Sequence, residues 1–177
     1  EAIALRDAQE AARRDHLTGL LNRRGLTERF EELVKARPEP FALTVMLIDI
    51  DHFKSINDTH GHAYGDQVLA DFATVISRNI RVVDTVARWG GEEFIVVCAD
   101  VDRRGAQRIA EKLRERIAGF DFGACGQLTA SFGIHWSNAP EAELGQLVAL
   151  ADVALYAAKA GGRNCCRVHS PSMSRAA

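Results

Sequence analysis

Four acidic residues stand where short apolar segments end. Asp49 and Asp51 follow the run FALTVMLI, and Glu92 and Glu93 follow Gly90-Gly91. If the first strand and the Gly-Gly turn are neighbours in a sheet, these carboxylates come into contact range and repel. A hard divalent cation resolves that conflict, and Mg²⁺ held by one or two carboxylates plus substrate phosphates is the usual arrangement. A single strand-end acid is as well explained by solvation; four acids beside a Gly-Gly turn point to a shared site.

Lys54 and Asn57 follow Asp51 in a polar loop that leads to a helix N-terminus, where free N–H groups and the helix dipole favour an anion such as a nucleotide phosphate. Asn57 and Asp66 carry groups complementary to guanine, because a carboxylate accepts from both N1–H and the N2 amine. Read separately, Asn57-Asp58 is a turn and Asp66 a first-turn acid. His60 and His62 have no Cys or third His beside them and are a weak metal signal. Lys159 and Arg163 flank Gly161-Gly162 at a helix end, where they either complement the dipole or contact a polyphosphate.

The elements that must position these residues follow from periodicity. Residues 2–14 contain no Gly or Pro and have only a thin apolar stripe, which suits an exposed connector helix. A turn at 15–22 precedes a helix over about 22–36, stopped by Pro38 and Pro40. The nearly continuous apolar run 41–49 predicts a strand buried on both faces. A polar loop is expected over 50–61, then a helix carrying Val68, Leu69, Phe72, Val75 and Ile76. Residues 85–89 and 93–98 read as a hairpin around Gly90-Gly91, with the glycines supplying positive φ. A helix over about 102–118 follows. The strict alternation of 128–136 predicts a strand buried on one face. A helix over 143–160 and a short edge strand over 164–169 complete an α+β sheet with helices packed on it.

A chain of 177 residues is one domain. With 22 Lys and Arg against 24 Asp and Glu it lacks the basic footprint of non-specific nucleic-acid binding. Its apolar runs are too short to span a membrane, so no membrane contact is expected of this fragment. Cys98 and Cys125 lie in apolar runs, and Cys165 and Cys166 are adjacent, which suits a reducing, cytoplasmic compartment. The first residue is Glu1 rather than Met, which suggests a fragment with a missing upstream part.

Gly90-Gly91-Glu92-Glu93-Phe94 resembles the signature of GGDEF-domain diguanylate cyclases, in the variant with Glu at the third position. Four further segments match in order and spacing. They are the opening turn Asp15-His16-Leu17-Thr18-Gly19-Leu20-Leu21-Asn22-Arg23, the stretch DIDHFKSIND at 49–58, Gly61-His62 with Gly65-Asp66, and KAGGRN at 159–164. The resemblance covers about residues 10–169. It implies a ferredoxin-like fold, similar to the adenylate cyclase core, with a connector at 1–14, the catalytic domain at 15–169 and a polar tail at 170–177. It implies condensation of two GTP into cyclic di-GMP with release of pyrophosphate, in a homodimer with its sites face to face.

Carried over residue by residue, the resemblance gives Mg²⁺, or Mn²⁺ in its place, to Asp49, the Ile50 carbonyl and Glu92, with Glu93 a further ligand. Glu92 would be the base that helps deprotonate the attacking ribose hydroxyl. Lys54, the N–H groups around Phe53, Lys159 and Arg163 would stabilise the phosphates. Asn57, His62 and Asp66 would bind the guanine and ribose side. Members that also accept ATP tend to carry Ser in place of Asp66, so Asp66 favours GTP. Arg81-Val82-Val83-Asp84 matches the RxxD site that binds the inhibitory product. An upstream sensory domain would set dimer geometry through the N-terminal helix. The contrasting reading is an inactive relative that serves as a receptor for cyclic di-GMP or GTP.

Overall fold

The computed structural model describes residues 1–138 and 143–174. Its central strand β1 (Leu43–Ile50) is buried at every position, which demands a neighbour on each edge and cover on each face. Strands β3 (Glu93–Ala99) and β4 (Ala130–Ser137) flank it, both antiparallel. Strand β2 (Thr85–Arg88) extends the sheet beyond β3, and β5 (Cys166–Val168) lies parallel to β4, giving the order β2-β3-β1-β4-β5. The short parallel edge strand occupies the middle of the expected segment 164–169.

Among the described residues there are six helices: α1 (Ala2–Ala11), α2 (Arg23–Lys35), α3 (Phe53–His60), α4 (His62–Arg78), α5 (Arg103–Ala118) and α6 (Leu144–Ala160). Alternate residues of β1 feed two cores. Met46, Ile48 and Ile50 pack with Val68, Phe72, Ala110 and Leu113 of α4 and α5. Leu43, Val45 and Leu47 pack with Leu26 and Phe30 of α2 and with Leu147, Ala151 and Leu155 of α6. This is the expected ferredoxin-like α+β architecture. The side chains of Asn22 and Asp102 accept from the N–H groups of Gly25 and Gly105, capping α2 and α5; such caps contribute about 1 kcal/mol each. Helix α1 buries no residue and ends three residues before the expected position 14.

Three expectations are corrected. The segment 50–61 is not all loop, because Phe53–His60 is helical. Phe53 is buried and Ile56 packs against the α4/α5 core one turn on, a stripe too short to show as periodicity in polar sequence. The hairpin glycines do not adopt positive φ, and only at Gly90 is space short. A Cβ on Gly90 would sit 3.1 Å from Glu93 Oε1, while Gly91 has nothing within 4 Å of that position. Finally, the alternating strand is covered on both faces. Ser131 is fully buried, and a Cβ on Gly133 would overlap main-chain atoms of α6. The small residues that resembled a solvent face are small because a helix backbone lies on them.

Candidate active site

Antiparallel pairing places Asp49 directly opposite Glu93, and the Ile50 N–H donates to the Glu92 carbonyl at 3.4 Å. The end of β1 and the hairpin tip are therefore one place, as the strand-end acids suggested. A cavity of about 190 Å³ opens there, lined by Asp49, Ile50, Asp51, His52, Phe53, Lys54, Glu92, Lys159 and Arg163. Residue His52 makes the turn into α3 in the left-handed region, with φ 57. That abrupt turn starts the helix at the cavity wall, so the first-turn N–H groups of α3 open onto it.

The acids are crowded. Glu92 is pushed up to about 7 by partial burial, by the Asp49 charge and by a hydrogen bond shared with Asp49. Glu93 is raised by burial and by the charges of Asp49 and Asp152. Asp49 is 5% exposed, and its Oδ2 accepts from Lys159 Nζ at 2.6 Å. A proton on Glu92 and an ammonium on Asp49 together neutralise the pair. A divalent cation would supply the same neutralisation, and two carboxylates with a main-chain carbonyl are hard oxygen donors of the type Mg²⁺ takes. Among the described residues no three His, Cys, Asp or Glu side chains converge on one point, so phosphate oxygens would complete such a shell.

The residues predicted for the guanine side stand outside this cavity, at the α3–α4 corner. Asn57 Oδ1 is buried without a partner, and a Cβ on Gly65 would overlap it. Gly65 therefore makes room for the Asn57 amide. His62 and Asp66 are exposed in the first turns of α4. Arg81 and Asp84 also lie outside the cavity, where they pair with each other: Arg81 Nη2 donates to Asp84 Oδ1 at 2.6 Å and to the Ala99 carbonyl at 3.1 Å. The paired carboxylate, chiefly by its hydrogen bond, raises the Arg81 guanidinium above its usual range. Burial and the same carboxylate push the Cys98 thiol beneath it up to about 12. Val82 and Val83, between the pair, are exposed.

Several participants had no local signal in the sequence. Arg88 donates from Nη1 to the Asp15 carboxylate at 3.2 Å and from Nη2 to the Gly91 carbonyl at 2.7 Å. It thereby joins the opening turn to the hairpin tip. Partial burial opposes it, but hydrogen bonds from Thr18 and the charge of Arg88 hold Asp15 below its ordinary carboxylate value. Arg23 donates to the Trp89 carbonyl at 2.7 Å and lies 4.4 Å over the Trp89 ring. Asp152 of α6 faces Glu93. Asp51, grouped with Asp49 on sequence, has both oxygens engaged by Thr129, Ser131 and the Asn164 N–H. The long-range hydrogen bonds among these residues join positions 66 to 113 apart, and no feature near either end marks the partner.

Residues 12–165 match the family model described as "Diguanylate cyclase, GGDEF domain". The chain is 42% identical over 165 residues to the response regulator PleD of Caulobacter vibrioides, covering 88% of this chain and 36% of that protein. It is 38% identical over 170 residues to the probable diguanylate cyclase DgcT of Escherichia coli, with 91% and 36% covered. The chain thus spans about a third of the length of these relatives. Among solved structures, the GGDEF domain of DgcB from Caulobacter crescentus, in complex with c-di-GMP, superposes with a TM-score of 0.81 at 32% identity, covering 89% of this chain and 95% of that one. The active GGEEF domain of a diguanylate cyclase from Vibrio cholerae gives 0.76 at 33%, covering 86% and 99%. With the acids at the strand end, the hairpin tip and the sheet order all accounted for, the chain belongs to the GGDEF domain family of diguanylate cyclases.

Proposed function

We propose that this domain condenses two GTP into cyclic di-GMP, releasing two pyrophosphates, and that it acts as a symmetric homodimer in the cytoplasm under an upstream sensory domain. The observation that carries this reading is the convergence of Asp49 and Glu92 with Lys54, Lys159 and Arg163 in one cavity. Asp49, the Ile50 carbonyl and Glu92, with Glu93 beside them, would hold Mg²⁺ or Mn²⁺. When bound, such an ion polarises a phosphoryl oxygen and neutralises developing charge. Glu92 accepts the proton of the ribose 3′-OH as that oxygen attacks the α-phosphate of the other GTP. Lys54 and the α3 N-terminus balance charge on the transferring phosphoryl. Lys159 and Arg163, both on the cavity lining, would contact the outer phosphates. Asn57, His62 and Asp66 receive the guanine and ribose.

Each cavity serves one nucleotide, and the product has two-fold symmetry, so two domains must meet with their cavities face to face. Holding both nucleotides in line supplies much of the rate. The test is the initial rate at several protein concentrations at fixed GTP and Mg²⁺. A rate that rises faster than linearly is expected; strict proportionality at all concentrations contradicts assembly of the active dimer over that range.

Arg81, exposed and held on the buried Asp84 carboxylate, is with it the proposed inhibitory site for the product. Arg81→Ala removes the guanidinium that would meet a phosphate, and the inhibitory concentration of cyclic di-GMP is expected to rise at least about tenfold. The initial rate without added product should hold. Inhibition at an unchanged concentration would exclude this site.

A further inference from the structure

We infer that Asp51 is a positioning residue for the closing segment, its buried carboxylate clamping Gly162, Arg163 and Asn164 in the conformation that brings Arg163 to the cavity. This rests on the reading of that segment as a phosphate contact. Asp51 is 5% exposed, and the mechanism above gives it no step. Its Oδ1 accepts from Ser131 Oγ at 2.7 Å. Its Oδ2 accepts from Thr129 Oγ1 at 2.7 Å and from the Asn164 N–H at 3.0 Å. Its own N–H donates to the Thr129 carbonyl at 2.9 Å. One carboxylate therefore ties the end of β1, the entry to β4 and the exit from α6.

The segment it holds would not take this shape unaided. Three consecutive residues have positive φ: Gly162 at 108, Arg163 at 62 and Asn164 at 45. Glycine accepts this freely, whereas Arg163 and Asn164 carry a Cβ that disfavours it. Strained backbone of this kind persists only where its surroundings over-determine it. The Gly162 and Arg163 N–H groups donate to the Lys159 and Ala158 carbonyls at 3.3 and 3.1 Å, and Asn164 is anchored by the Asp51 carboxylate on its N–H and by Arg114 Nη1 on its Oδ1 at 3.0 Å. A charged acceptor is the stronger of the two kinds of partner. Without Asp51, Asn164 loses its charged acceptor and the positive-φ step that follows Arg163 loses its anchor on the β1 side, so Arg163 is held from the α6 side alone, while the α3–α4 corner is untouched.

The test measures, with Mg²⁺, the affinity of a GTP analogue whose α–β bridging oxygen is a methylene, and of GMP, which lacks the outer phosphates. Asp51→Ala is expected to weaken the analogue about tenfold and to leave GMP within about twofold. Arg163→Ala should weaken the analogue in the wild-type background but add less than about twofold to Asp51→Ala, since coupled residues are non-additive. Asp51→Asn keeps an oxygen for the Asn164 N–H and an amide that can donate to the Ser131 hydroxyl, and should recover most of the affinity.

A folded Asp51→Ala protein with wild-type analogue affinity would overturn the inference. So would an equal loss for GMP, or a full Arg163→Ala effect in both backgrounds. Should Asp51→Ala not fold, Thr129→Val, which removes one donor to the carboxylate, is expected to show the same pattern at smaller size, and wild-type behaviour there overturns it equally. If Arg163→Ala changes nothing in the wild-type background, the phosphate reading of the segment fails first and takes this inference with it.

Discussion

Glu92→Ala is expected to lower cyclic di-GMP formation by at least about a thousandfold, since general-base removal alone costs about 10²–10⁴ and the same change deletes a cation ligand. The fold should survive. Glu92 lies in the hairpin tip rather than in a core, and its carboxylate is destabilised by burial and by Asp49. Removing it relieves repulsion, so the melting temperature should hold or rise slightly in the absence of cation. Mg²⁺ should then stabilise the variant less than the wild type, because one of its carboxylate ligands is gone. Turnover within tenfold of wild type in a folded Glu92→Ala protein would refute the assignment of Glu92 as base and ligand.

Gly133→Ala is expected to be the most damaging single-methyl change in the domain. A Cβ there overlaps the Ala151 carbonyl oxygen and the Leu155 nitrogen, and sits 2.7 Å from Leu155 Cα. These are main-chain atoms in the middle of α6, and no rotamer change can move them aside. The helix must lift from the sheet, separating Ala151 and Leu155 from Leu47 and Ile95. Overpacking costs typically about 1–3 kcal/mol, and a rigid backbone neighbour puts this site at the upper end. At about 2–4 °C per kcal/mol for a domain of this size, thermal unfolding should fall by about 6–12 °C. Because α6 carries Lys159, nucleotide binding should weaken as well. A melting temperature within 2 °C of wild type would show that α6 does not rest on β4 as described.

The same glycine shows why part of the fold escaped the sequence. Alternation of Leu128, Ala130, Phe132, Ile134 and Trp136 with smaller or polar residues has two physical causes, a solvent face or a close helix. Only the packing of α6 distinguishes them. The eight buried residues of β1 posed no such ambiguity, since a continuous apolar run needs cover on both sides. The Gly-Gly turn with its acids was legible because turn chemistry is local, although neither glycine adopts positive φ. Helix α3 was missed because two apolar residues, Phe53 and Ile56, are too few to make a period.

In the site, the acids and cations that line the cavity were legible by type and by their place at element ends. Asp49 and Asp51 both line the cavity, but adjacent strand-end acids look alike until their partners are known. One carries Lys159, and the other carries Thr129, Ser131 and Asn164. Likewise nothing near Arg88 reveals that it bridges Asp15 and Gly91, a link between the end of the connector and the signature hairpin. Long-range polar pairing has no period to read.

The measurement that tests the central claim most directly is incubation of the purified chain with GTP and Mg²⁺, with ATP in parallel, followed by chromatographic separation of the nucleotides. Cyclic di-GMP from GTP, with pyrophosphate and with little or no product from ATP, is the predicted result. GTP bound but unconverted at every protein concentration, including those at which the chain is shown to be dimeric, would contradict the catalytic account.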